Sequence, residues 1–589
     1  MSRKRAKKET SPIEKQMESA KSVEVEKTAP VEKPWYKSWP TDIPKHIEYP
    51  EVPLSEILRK TAENNADQTA IVYFHKMITY RELNEASDRF AAALAALGVK
   101  KGDKVAIFLP NIPQFVIAYY GALRIGAVET AISPLYRERE VEHQLSDSET
   151  ETIVVLDVLY PVLERVLAGT KVKTTIVANL KEYMPTAMSV LGSLLRRIPS
   201  HSVEHKPGTY FFKQLLNAHD ERPPKVDINP KEDLAALQYT GGTTGIAKGA
   251  MLTHMNLVSN AVMCAEWLRG KQTEETFLAV LPLFHIYGMT TGMNAPIYLA
   301  GKMVMLPRFE PISTLKAIQD HKVTVFCGAP TMYSMLLANP KVNAFDLSSV
   351  HFCISGSAPL PPEIQKKWME ATKGVLVEGY GLTESSPVTH CNPLDATLKT
   401  VKIGSIGLPW PDTDAKIMDM EKGEEELGTD QDGELVISGP QVMLGYWKMP
   451  EETRDVLRNG WLYTGDIGKM DEDGYFYITD RKKDLIKYKG YSVYPREVED
   501  VICEHPAVKL CAVIGKPDSV AGEIPKAFIV LKEGKTMTAD EIKQFVNPKL
   551  APYKALREVE IRTELPMTLV GKVLRRVLHE EERQKAAKT

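Results

Sequence analysis

Between Tyr80 and Thr372 the chain alternates stretches of helical period with short apolar runs, and few folds accept that alternation. In Tyr80–Gly98 the residues Leu83, Ala86, Phe90, Leu94 and Leu97 recur at a 3-4-4-3 spacing. That spacing is one face of a helix, with Gly98 as its stop. Val105–Leu109 reads as a buried strand, Gln114–Ile125 as a helix and Val128–Ser133 as the next strand. Strand, helix, strand in that order predicts a parallel sheet. Ile153–Leu156, Leu234–Tyr239, Phe277–Leu281, Met303–Leu306, Val323–Cys327 and His351–Ile354 continue the strand series, with Pro311–His321 and Pro362–Thr372 as helices between them. A large α/β unit is expected.

With 589 residues the chain has room for about three to five domain-sized units. Residues 1–33 mix Lys, Glu, Ser and Pro and read as a flexible charged tail. Five of its first eight residues are Arg or Lys, which fits a solvated terminus or weak attraction to an anionic membrane surface. Residues 34–479 are assigned to the large unit. Its character changes near Thr413, where short strands Ala415–Met418, Glu434–Ser438 and Tyr475–Thr479 alternate with turns, so a β subdomain is expected over about 410–479. The charged run Asp480–Asp484 marks a boundary. Residues 485–589 are expected to form a small α+β domain, with helices Pro495–Glu504 and Thr538–Leu550 and strands Cys511–Ile514 and Lys526–Leu531.

Charge excludes some functions. Lys plus Arg is 74 and Asp plus Glu is 77, a balance with no drive toward nucleic acid. No apolar stretch approaches the ~20 residues of a spanning helix, and the basic start has no apolar region after it, so no secretory signal is expected. The six cysteines lack a Cys-x-x-Cys pair and any zinc spacing, which fits reduced thiols in a cytoplasmic protein.

The most informative segment is Leu237-Gln-Tyr-Thr-Gly-Gly-Thr-Thr-Gly-Ile-Ala-Lys-Gly-Ala250. An apolar strand runs into a loop of Gly and Thr. Gly241, Gly242 and Gly245 let backbone N–H groups approach phosphate oxygens, Thr240, Thr243 and Thr244 add hydroxyls, and Lys248 adds a cation. This is phosphate-binding chemistry without the Walker A spacing. Four further segments accompany it: Ser355-Gly-Ser-Ala-Pro-Leu360, Val377-Glu-Gly-Tyr-Gly-Leu-Thr-Glu-Ser-Ser386, Gly460-Trp-Leu-Tyr-Thr-Gly-Asp466 and Leu565-Pro-Met-Thr-Leu-Val-Gly-Lys-Val-Leu-Arg-Arg576.

In these motifs, in this order, the chain resembles the acyl- and aryl-CoA synthetases, whose superfamily includes luciferases and the adenylation domains of peptide synthetases. The resemblance runs from about Trp35 to about Arg576 and is greatest to bacterial-type long-chain fatty-acid–CoA ligases. It implies a reaction in two steps: a fatty acid and ATP give an acyl-adenylate and pyrophosphate, then CoA takes the acyl group and AMP leaves. It also implies site residues. Tyr380 would stack on adenine, between Gly379 and Gly381, with Glu378 beside them. Thr383 would bond the α-phosphate and Glu384 would bind Mg2+, a hard cation suited to a carboxylate. Gly356, Ser357 and Ala358 would border the adenine and the acyl channel. Asp466 would hold the ribose hydroxyls with Arg481. Lys483 would be the pivot of a mobile small domain, Lys572 the catalytic lysine, and Lys489-Gly490 would line the CoA tunnel. Met567 and Val570 depart from the usual Lys and Ser near Lys572.

Pro282-Leu-Phe-His-Ile-Tyr-Gly-Met289 matches the family's aromatic motif, so His285, Tyr287 and Met289 are assigned to the acyl pocket. Met293, Met332 and Met335 fit an adaptable apolar tunnel or an ordinary core. The apolar stretch Met184–His201, with Arg196 and Arg197, fits either a peripheral membrane contact or a packed insertion. A fatty acid is the leading substrate, and an aryl-CoA ligase of 4-coumarate type is the alternative. A non-catalytic nucleotide- or lipid-binding protein is a third reading, opposed by the joint presence of Glu384, Asp466, Arg481 and Lys572. A monomer and a homodimer are equally compatible with the sequence.

Overall fold

The computed structural model describes residues 32–194, 198–220, 222–240, 247–395, 397–518, 520–568 and 572–588. The chain is a mixed α/β protein with a large N-terminal and a small C-terminal domain. The alternating strands fall into two sheets. One has eight strands, ordered Gly445–Tyr446, Gly249–Thr253, Leu234–Tyr239, Val128–Ala131, Lys104–Phe108, Thr152–Leu156, Thr174–Ala178 and Thr209–Phe211. The other has nine, with Val375–Gly381, Phe352–Ser355, Val325–Gly328, Thr276–Ala279 and Lys302–Met305 adjacent in that order. Pairing among these five is parallel, as their connection through helices predicts.

Local signals placed the helices well. Tyr80–Ala96 starts at a capping box between Thr79 and Glu82 and stops at Gly98, whose φ of +91° suits glycine. Pro311–His321 and Pro362–Thr372 form as expected. The predicted strands shift by one to two residues at their ends. In the small domain the shift is larger. Val508–Asp518 and Gly522–Leu531 form one long antiparallel ribbon, longer than expected because Pro517 and Glu523, and Gly515 and Pro525, are register partners in a polar outer half. The sequence reading missed the hairpin Thr69–Tyr73/Lys76–Thr79, the strand Glu558–Arg562 and the ten-residue strand Trp461–Met470.

Buried apolar side chains up to Phe476 pack into one main cluster with two satellites, and those from Ile486 onward form two clusters of their own. The start of the described chain is anchored by Trp35, which is buried edge-on against Phe476 with ring centroids 6.0 Å apart. The helix Thr186–Leu194 leaves Met188, Val190 and Leu191 exposed, so these three side chains are not packed into the protein; Arg196 and Arg197 lie outside the described residues. Among the described residues no helix is long and apolar enough to cross a membrane.

Candidate active site

A cleft of about 2750 Å³ opens where the strand ends of the large domain face the small one. Ligands collect at such strand ends in open α/β sheets. Strand Leu234–Tyr239 delivers Thr240 to the cleft wall, where its N–H donates to the Lys248 carbonyl at 2.9 Å and closes the neck of the glycine-rich loop. Gly241, Gly242, Thr243, Thr244 and Gly245 lie outside the described residues. Past the loop, the Ala247 carbonyl meets His143 Nε2 at 3.1 Å, and the Lys248 ammonium lies 5.0 Å over the Tyr446 ring.

Strand Val375–Gly381 carries Glu378, Gly379, Tyr380 and Gly381. A Cβ on Gly379 would sit 2.7 Å from Ile354 Cγ2, so only glycine lets this strand lie so close to its neighbour. Gly379, Tyr380 and Gly381 all line the cleft. Tyr380 Oη donates to Asp466 Oδ2 at 2.6 Å. Asp466 Oδ1 pairs with Arg481 Nε at 2.9 Å. Fifteen residues apart in sequence, Asp466 and Arg481 are register partners in the antiparallel strands Trp461–Met470 and Phe476–Arg481. The Asp466 side chain is buried, and its charge pushes both the Tyr380 phenol and the Arg481 guanidinium toward higher pKa, burial being the larger cause for the phenol. Tyr380 therefore stays an O–H donor and Arg481 a cation.

Glu378 lines the cleft as well and makes a further contact. Its Oε2 accepts the Leu360 N–H at 3.0 Å, and burial raises its pKa to about 7. It fastens the loop holding Gly356, Ser357 and Ala358 onto strand Val375–Gly381. Gly356 lies against Tyr287, where a Cβ would be 3.1 Å from the ring, and Ser357 has a φ of +72°. Tyr287 Oη donates to the Ile354 carbonyl at 2.8 Å. His285 Nδ1 accepts the Tyr287 N–H at 3.2 Å, which leaves Nε2 as the protonated nitrogen, and burial lowers its pKa to about 4 with a smaller push from Lys572. Met289 departs from its assignment: it is fully buried beside Met293 in the main core, off the cleft wall. Met332 is also buried and Met335 is exposed, so the four methionines do not share one tunnel wall.

Thr383 and Glu384 form a single 3-10 turn, Thr383–Ser385, on the cleft wall. Glu384 Oε1 accepts Tyr446 Oη at 2.7 Å. Among the described residues no cluster of three or more His, Cys, Asp or Glu could hold a metal by itself. A single carboxylate on a cleft wall is nevertheless of a kind that suits Mg2+, which binds through one or two carboxylates and substrate phosphates and keeps its waters.

From the small domain, Lys572 reaches the same cleft. Its loop is closed by a Met567–Val573 bridge, by Thr568 N–H donating to the Lys572 carbonyl at 2.8 Å, and by Lys572 N–H donating to Thr568 Oγ1 at 3.1 Å. Burial lowers the Lys572 pKa to about 7, helped by Arg481 and opposed by Asp466. Lys483 is also lowered, chiefly by burial. The joint between domains is clasped on both sides. Asp480 Oδ2 accepts the Arg496 N–H at 3.0 Å, and Asp484 pairs with Arg575 at 3.3 Å, which also grips Glu499 at 2.7 Å. Lys489 and Gly490 are not brought to the cleft. They form the tip of the hairpin Ile486–Tyr488/Tyr491–Val493, with φ of +50° and +84°.

Residues that sequence reasoning missed are His143 and Tyr446. Both reach the site through pairings distant in sequence, and neither stands in a segment with a local signal.

Two family matches cover most of this architecture. Residues 58–447 match the AMP-binding enzyme family and residues 497–572 match the AMP-binding enzyme C-terminal domain. The chain belongs to the AMP-binding enzyme family. It is 45% identical over 556 residues to a long-chain-fatty-acid–CoA ligase of Bacillus subtilis strain 168, covering 94% of this chain and 98% of the relative. To a probable 4-coumarate–CoA ligase of Dictyostelium discoideum it is 34% identical over 549 residues, covering 90% and 96%. Among solved structures, ATP-bound MatB from Rhodopseudomonas palustris aligns with a TM-score of 0.78 at 29% identity, covering 90% of this chain and 99% of that one. The apo form of the same protein aligns at 0.68 with the same identity, covering 90% and 98%.

Proposed function

We propose that the protein is an AMP-forming long-chain fatty-acid–CoA ligase. In the first step a fatty-acid carboxylate attacks the α-phosphorus of ATP, the bond to the β-phosphate oxygen breaks, and pyrophosphate leaves an acyl-adenylate. In the second, the CoA thiol attacks the acyl carbonyl, loses its proton, and AMP leaves. The observation that carries the reading is one cleft in which Lys572 of the small domain faces the Tyr380–Asp466–Arg481 group of the large domain.

Each residue then has a physical task. Asp466, an acceptor-only group as a carboxylate, suits the two hydroxyls of a ribose, and Arg481 pairs with it. The Tyr380 ring offers the adenine a face between two glycines. Thr383 donates its hydroxyl to the α-phosphate. Lys572, whose pKa burial lowers to about 7, opposes in its protonated form the charge that builds at phosphorus in the transition state. Magnesium at Glu384 supplies charge neutralisation across the ATP phosphates when bound. Neutral His285 lies beside the carboxylate end of the acid. The joint at residues 480–484, with Lys483 as pivot, lets the small domain turn so that Lys572 withdraws and Lys489-Gly490 comes to the cleft for CoA. Closure in each state keeps water from the adenylate.

The longer alignment at higher identity favours a fatty acid over an aryl acid. Exposed Met188, Val190 and Leu191 supply a peripheral contact with the membrane that holds such acids. The test is ATP–pyrophosphate exchange with magnesium and no CoA, across short to long saturated acids, benzoate and coumarate. Exchange rising with long aliphatic acids is expected. Exchange with aromatic acids alone would transfer the protein to the aryl class, and exchange with none would remove the catalytic reading.

A further inference from the structure

Glu384 has one described hydrogen bond on its carboxylate, and it comes from Tyr446. Tyr446 lies 62 residues further along, outside every motif of the sequence. Its placement is over-determined. Strand Gly445–Tyr446 pairs with Met251 and Ala250, on the strand that leaves the glycine-rich loop. Trp447 N–H donates to the Gly249 carbonyl at 2.8 Å, and Tyr446 N–H donates to Thr453 Oγ1 at 2.9 Å. Gly445 has a φ of +141°, and a Cβ there would stand 2.5 Å from Thr453 Cγ2, so no other residue lets the strand approach in this way. A second link joins the same two segments: Met443 N–H donates to the Glu384 backbone carbonyl at 2.8 Å. The Tyr446 ring also meets Lys248, whose ammonium lies 5.0 Å over the ring centroid.

The chemistry follows from the inventory of donors. A carboxylate that binds a cation through one oxygen is free to turn unless its other oxygen is held, and outer hydrogen bonds of this kind orient metal ligands. A phenol O–H donates and a carboxylate oxygen accepts, so Tyr446 is the donor to Glu384. Oε1 is occupied by that bond, Oε2 makes no described hydrogen bond, and Glu384 lines the cleft. We propose that Tyr446 is a positioning residue for adenylation: its hydroxyl sets Glu384 for the magnesium of ATP, and its ring holds Lys248, so that Lys248 and Glu384 are kept together as one phosphate-binding pair. This rests on Glu384 being the metal carboxylate.

The test uses the full chain and Mn2+, read by electron paramagnetic resonance, with an ATP analogue whose α,β bridge is not cleaved. Tyr446→Phe keeps the ring and removes the hydroxyl. It is expected to weaken Mn2+ binding roughly tenfold. The magnesium requirement of exchange should rise in parallel, with KM for the fatty acid unchanged. Tyr446→Leu should lose ATP affinity as well, because the ring beneath Lys248 is gone. Glu384→Gln should lose Mn2+ binding, and adding Tyr446→Phe to it should cost nothing more. If Glu384→Gln loses Mn2+ but Tyr446→Phe does not, the positioning role is overturned and the Glu384 assignment stands. If Glu384→Gln binds Mn2+ like the parent, both fall. A Tyr446→Phe protein that melts earlier with unchanged Mn2+ affinity would mark a packing role and overturn the inference.

Discussion

Asp466 and Lys572 face the same cleft and are held in opposite ways. Asp466 is buried, accepts Tyr380 at one oxygen and pairs with Arg481 at the other, all within the large domain's side of the joint. Lys572 has a tied backbone, yet its ammonium makes no hydrogen bond or ion pair among the described residues, and burial depresses its pKa. The nucleoside side of the site is thus pre-formed by neighbouring strands. The lysine is delivered by a separate domain and held in a field that waits for negative charge. A fixed pocket serves binding, and a withdrawable cation serves one step of a two-step reaction. The clasp at the joint matches this division. Arg496 reaches back to Asp480 and to the Ile478 carbonyl at 2.5 Å, while Arg575 holds Asp484 from the small-domain side.

Breaking each half should give distinct results. Lys572→Ala should lower adenylation by about 10²–10³-fold, the scale for removing one transition-state charge partner. Thioester formation from preformed acyl-adenylate and CoA, followed in a single turnover, should fall far less. Asp466→Asn removes the anion shared by Tyr380 and Arg481. Breaking one side of a buried pair costs about 3 kcal/mol or somewhat less here because Arg481 is partly exposed, read as a lower midpoint in urea. The variant's KM for ATP should rise too.

The pH profile sharpens the contrast. The Lys572 pKa is about 7 in the free enzyme, so the protonated form dominates below that value and is lost above it. kcat/KM for ATP reports the free enzyme. It should fall as pH rises through about 7, and Lys572→Arg should flatten that limb because guanidinium keeps its proton. The smallest effect is expected of Tyr380→Phe, which removes one hydrogen bond to a carboxylate. A loss of about 1.5–3 kcal/mol bounds it, and the melting temperature with and without ATP will measure it.

The parts of this architecture that depend on local order were legible. Apolar runs and helical period placed the parallel strands, and Thr79, Glu82 and Gly98 marked the ends of their helix. Thr240, Tyr380, Glu384, Asp466 and Lys572 could be singled out because each stands in a compact segment, and all five line one cleft. What could not be read depends on pairing across distance. Tyr446 stands in a strand of two residues, too short to have a period, and is placed by register with Ala250. His143 lies on an exposed-looking helix and meets Ala247 104 residues away. Glu378 reads as a nucleotide contact in its motif and lines the cleft, but the hydrogen bond by which it also fastens the Leu360 loop could not be read. Met289 matches its motif and faces the core, because periodicity identifies an apolar position without saying which apolar neighbour it meets. The ribbon Val508–Asp518/Gly522–Leu531 was cut short in the sequence because prolines and charges in its outer half hide an extended backbone.

The division between a fixed pocket and a delivered lysine is tested most directly by calorimetric binding of magnesium ATP, without fatty acid, to the parent protein, Lys572→Ala and Asp466→Asn. The account predicts that Lys572→Ala binds within about threefold of the parent although adenylation has collapsed, since its interaction is made in the transition state, while Asp466→Asn binds at least about tenfold more weakly. The reverse order, with binding lost in Lys572→Ala and retained in Asp466→Asn, would contradict it.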